Sequence, residues 1–150
     1  MAFLVRYIFL IYSVIGITVS GVYLARNEWS WTLALENGGQ GVLFSVLLIS
    51  MGITSGIGHV FFGEAIIRGQ GQEHNKASRM LQWEIGIFSL IIGLVAILTP
   101  VTQQVPLALA WGLFLLAAGI RHAFKKEPLP TVTGDLLNGS LLLAASVPFL

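Results

Sequence analysis

The sequence predicts an all-α integral membrane protein with five transmembrane helices, on three observations. Of 150 residues, 55% are hydrophobic and 10% charged, far below the roughly 25% charged residues of an ordinary soluble domain. Uncharged apolar stretches recur at close to the ~20 residues a helix needs to cross a hydrocarbon core. Turn-forming clusters, NGGQG, TPVTQQVP and EPLPTVTGD, separate these stretches.

The first span is expected over 7–25, and its length, with one basic residue before it and no small-x-small cleavage pattern, favours a retained anchor over a secretory leader. The second is expected over 41–67, because the chain becomes continuously apolar after NGGQG. The uncharged stretch 85–120 is too long for one crossing, and Pro100, Pro106 and the polar residues between them divide it into spans over 80–99 and 105–124. The fifth span, 132–150, is just long enough to cross. All five form a single transmembrane domain over 1–150. The segment NEWSWTLALENGGQG carries Trp29 and Trp31, whose rings favour the headgroup zone, and reads either as a short interfacial helix or as a plain loop. Ser78 is a candidate start for the third helix.

Basic residues set the expected orientation. Arg6, Arg68, Lys76, Arg79, Arg121, Lys125 and Lys126 fall on one side, and Arg26 alone on the other. The N-terminus is therefore expected in the cytoplasm and the C-terminus outside. A net charge of +1 without a clustered basic face argues against nucleic acid as a partner. The absence of cysteine excludes disulfides, thiolate nucleophiles and cysteine-ligated metal centres. The GQGQ segment lacks the strand, the glycine spacing and the lysine of a phosphate loop.

Small residues fall in helical stripes. Ser45, Gly52, Gly56, His59 and Gly63 share one face of the second span, and Ala108, Gly112, Gly119 and His122 one face of the fourth. Gln82, Gly86, Ser89, Gly93 and Ala96 line the third, while Asp135, Gly139, Leu142 and Ser146 line the fifth with the same initial spacing. Such stripes let helix backbones approach closely, which makes Gly52, Gly56, Gly63, Gly86, Gly93, Gly112, Gly119 and Gly139 the expected packing residues. The echo between GIGHVFF and GIRHAFK extends this to a parallel pseudo-repeat, spans two and three against spans four and five.

An ionisable group at membrane depth is costly unless paired, which marks it as a functional candidate. His59 is the deepest, with Gln82, His122 or Asp135 as candidate partners. Glu84 lies about 160–200° round its helix from the Gln82 stripe and either faces a second interior surface or stays at the interface. His59, Gln82, Glu84, His122 and Asp135 thus form the candidate polar cluster, near the cytoplasmic leaflet. Glu64 reads as a boundary residue ion-paired with Arg68 four positions on, and His74 as solvent-exposed. Histidines from two helices are able to clasp haem iron, but the shallower expected depth of His122 weighs against that, and the cofactor is left open. The spacing indicates no catalytic set and no metal site.

With GHVFFGEA, QWEIGIFSLIIGLVAIL, AAGIRHAF and TGDLLNGSLLL in place, 55–150 resembles a family of small bacterial multi-span membrane proteins of uncharacterised function. Gly58 and His59, Gln82, Glu84 and Gly86, Gly119 and His122, and Asp135 match that family's pattern in order. RGQGQEHNKASRM departs from it, standing where Trp and Ser-Pro are expected. The resemblance implies a fold and no particular chemistry. Two functions follow as expectations. One is a non-enzymatic accessory or scaffold subunit, packing with itself as a homo-oligomer or with other membrane proteins. The other is a protein that handles a small ligand, a quinone or protons through its His/carboxylate cluster.

Overall fold

The computed structural model describes residues 2–39, 41–69 and 74–150. It is 87% helical, without strands among the described residues. The elements run α1 (Ala2–Arg26), α2 (Trp31–Glu36), α3 (Leu43–Gly69), α4 (Lys76–Leu98), α5 (Val105–Phe124) and α6 (Leu129–Ser146). A 3-10 turn over Val101–Gln104 leads into α5, and another over Val147–Phe149 follows α6. Four helical stretches, Leu43–Gly69, Lys76–Leu98, Val101–Phe124 and Leu129–Phe149, are long and apolar enough to cross a membrane. α1 continues this apolar character, with Val14, Ile15, Ile17 and Val22 exposed along it.

The boundaries depart from the sequence expectation where capping decides them. α4 begins at Lys76, because Asn75 is its N-cap. The Asn75 side chain accepts from the Ser78 backbone N–H at 2.9 Å, while Ser78 Oγ accepts from the Asn75 N–H at 3.0 Å. Ser78 is thus the reciprocal half of a capping box rather than the helix start. α6 begins at Leu129, with Pro130 in its first turn where a missing N–H is harmless. α3 starts at Leu43 and continues to Gly69, bent at Phe62, where φ −120° and ψ 19° leave the helical region. The centre of the connector between α3 and α4, 70–73, lies outside the described residues.

α2 confirms a helix in the Trp-rich segment, capped by Ser30. Tyr23 fastens it to α1 by donating its hydroxyl to the carbonyls of Asn37 at 2.9 Å and Ala34 at 3.2 Å.

α3 packs most extensively on α4, and α5 on α6. α1 lies over both α3 and α6, which also touch each other, whereas α4 and α5 meet only sparsely. The glycine stripes explain the tight pairs. A methyl added at Gly52 would fall 2.5 Å from both Cα and N of Gly93, and one at Gly139 would fall 2.8 Å from the Gly112 carbonyl oxygen. Gly56 abuts Leu90, Gly63 abuts Gln82, Gly86 abuts Val60 and His59, and Gly119 abuts Leu136. Each stripe is therefore occupied by the other helix of its own pair. Buried Phe44, Leu47, Leu48, Met51, Trp111, Leu115 and Leu142 join the pairs in one core. The outer faces stay apolar: Trp83, Ile91, Leu94, Leu113 and Phe124 are all at least half exposed, as suits helices whose outer solvent is lipid.

Candidate functional site: an interhelical cleft with two histidine pairs

Because α3 and α6 touch while α4 and α5 diverge, a cleft of about 360 Å³ opens between the two helix pairs. Each pair delivers one histidine and one polar partner to it. On the first, His59 Nδ1 and Gln82 Oε1 are 2.5 Å apart. The amide oxygen only accepts, so Nδ1 carries the hydrogen and, in the neutral ring, Nε2 is left as an acceptor. Gln82 is buried, and Gly63 and Gly86 make room for the pair by bringing the α3 and α4 backbones together beside it.

On the second pair, His122 Nε2 stands 3.4 Å from Asp135 Oδ2, and Nδ1 stands 2.7 Å from Glu127 Oε2. The Glu127 contact is a close ion-pair approach rather than an aligned hydrogen bond. The side chains of all three are at most 12% exposed. An imidazole donates from both nitrogens only when doubly protonated, and here each nitrogen faces its own carboxylate.

Gln82 and Asp135 each occupy the seventh residue of their helix, counting from Lys76 and Leu129. The register that aligned them in the sequence thus becomes a shared role: each faces the histidine of the preceding helix. One histidine has a neutral amide as its partner and the other has two acids.

The cleft is polar at the end bearing His59, Gln82, Arg121, His122 and Asp135 and apolar at the end bearing Trp111, Phe114 and Leu115. Trp111 stacks at a tilt with Phe88 and Phe114, at centroid distances of 5.7 and 5.6 Å. Its indole N–H is buried without a hydrogen-bond acceptor among the described residues, an unmet need that a ligand acceptor would satisfy.

Glu84 is not in this cluster. It is exposed on the outer side of α4, where its angular distance from the Gln82 stripe carries it. Glu64 does not pair with Arg68 four residues on; it lies 3.6 Å from both His74 Nε2 and Arg79 Nε, because α4 folds back beside the end of α3. Glu127 and Trp111 were missed by the sequence reading. Glu127 reaches His122 because Lys126 adopts φ 55° and the Glu127 N–H donates to the His122 carbonyl at 3.1 Å. A carboxylate five residues after a helix-terminal histidine, past a turn, was the only signal for it. Trp111 reads in sequence as one more apolar residue. Among the described residues no group of three or more His, Cys, Asp or Glu side chains is arranged to hold a metal ion.

Comparisons of the chain with protein-family models, with curated proteins and with solved structures each return no match.

Proposed function

We propose that this chain is a five-span membrane protein, α1 included, whose function is to bind a small lipid-soluble ligand in the cleft between its two helix pairs. The pairs run in the same sense across a bacterial inner membrane, with the N-terminus and the histidine-bearing ends on the cytoplasmic side. The asymmetry of Lys and Arg supports that orientation. The observation that carries the reading is the convergence of His59–Gln82 and His122–Asp135 on one cavity with aromatic walls. A pocket of this kind, mostly apolar with a few convergent polar groups, is how proteins orient small ligands. A ligand with a hydrogen-bonding head and an apolar body, the quinone class among them, fits both ends.

The accessory or scaffold reading draws no support from the small-residue stripes, since every glycine in them is covered within the chain itself. Its remaining support is the apolar outer surface, which lipid covers equally well.

Purification in lipid nanodiscs, followed by organic extraction and mass spectrometry, tests the proposal. A lipid-soluble compound should be enriched with the parent protein and lost in Asp135→Asn and His59→Ala variants that keep their helical circular dichroism. Equal recovery of all small molecules from parent and variants would overturn the proposal.

A further inference from the structure

A second cavity, about 840 Å³, lies on the other side of the α3–α4 pair. It is a charged groove at the loop end, lined by Glu64, His74, Lys76 and Arg79. Among the described residues the two cavities have one lining residue in common, His59. Its Cβ packs against Gly86 and its Nδ1 meets Gln82 Oε1, so the side chain sits in the seam between α3 and α4 and borders both cavities.

We propose that His59 is a proton-exchange residue joining the charged groove to the intramembrane cleft, serving a cleft ligand that takes up or gives up a proton. The inference rests on the reading of the cleft as a ligand site. The step balances simply. An acidic O–H of the ligand breaks as its proton forms an N–H bond at Nε2, the nitrogen that Gln82 leaves free. The imidazolium then breaks that same Nε2–H bond, giving the proton to water in the groove while Nδ1–H stays on Gln82 Oε1, so the ring returns to its starting tautomer, and the reverse sequence protonates the ligand.

The other charged groups facing the cleft do not provide this route. Arg121 presents only donors and has no site that accepts a proton. His122 has carboxylates at both nitrogens, Glu127 and Asp135, and does not line the groove. On the groove side, Glu64, His74, Lys76 and Arg79 are all exposed, so a proton released there meets groups open to solvent.

The absence of cysteine supplies the test. Ser55 lines the cleft one turn before His59, and in Ser55→Cys the single thiol reports proton exchange through its S–H infrared band, which shifts when the sample is moved into D2O. Lys76→Cys provides the same report from the groove. Exchange at Ser55→Cys should slow at least about tenfold when His59→Leu is added, a modest part of the 10²–10⁴ that a positioned acid–base group contributes. His59→Asn, whose amide still bonds Gln82 but passes no proton, should slow it equally. Lys76→Cys should be indifferent to either change. Unchanged exchange in both double variants overturns the proposal, as does slowing by His59→Leu alone, which would make the barrier one of shape. Failure to recover a ligand by extraction bears on the cleft reading and leaves this measurement to stand or fall separately.

Discussion

Gly52→Ala is the sharpest probe of how the first helix pair is built. The added methyl would stand 2.5 Å from Cα and N of Gly93 and 2.9 Å from the Ser89 carbonyl oxygen, all backbone atoms with no rotamer to yield. Carbon atoms settle at about 3.5–4.0 Å, so α3 and α4 must separate by about 1–1.5 Å at this point. Gly58, in the same helix, has nothing within 4 Å of an added methyl. Both substitutions gain the same helix propensity, about 1 kcal/mol for Gly to Ala. The difference between them therefore isolates the clash, which overpacking data put at about 1–3 kcal/mol. The measurement is reversible unfolding of both variants in mixed micelles, followed by circular dichroism. Gly52→Ala should be the less stable by that margin. It should also weaken the His59–Gln82 contact, which lies along the same seam. Equal stabilities within about 0.5 kcal/mol, the usual scatter of innocuous substitutions, would refute the close approach of these backbones.

Two further outcomes are expected. His122→Leu leaves Glu127 and Asp135 largely buried without the ring between them, a loss of about 3–5 kcal/mol; adding Glu127→Leu and Asp135→Leu should recover most of it, and micelle unfolding of the single and triple variants checks both. Asn75→Ala removes half of the capping box and should lower stability by about 1 kcal/mol, with faster amide hydrogen exchange confined to the first turn of α4.

How much of this was legible in the sequence depends on range. The glycine stripes encode which backbones approach, because a 3.6-residue period fixes the face whatever the partner is. Gln82 was therefore readable as a partner for His59, and the angular offset of Glu84 already separated it from that stripe. Contacts set by turns were less visible. The start of α4 depends on whether Asn75 or Ser78 wins the cap, and the reach of Glu127 depends on the left-handed backbone of Lys126. Contacts between distant helices left no mark at all: Ser13 donates to Asn138 Oδ1 at 2.9 Å across 125 positions, pinning α1 to α6. The indole of Trp111 acquires its unmet N–H only once the helices around it are packed.

The turn between α4 and α5 reaches further than its length suggests. Gln104 is fully buried there and donates its amide to the carbonyls of Ala96 at 2.7 Å and Thr99 at 3.1 Å, joining the linked ends of the two helices like the rivet of a pair of tongs. The free ends of the tongs carry Gln82 on α4 and His122 on α5, the latter 18 residues along from Gln104, or roughly 27 Å of helix. The angle at which α5 leaves α4 is thus tied down at the end of the bundle far from the cleft's polar groups, by a side chain that does not line the cleft.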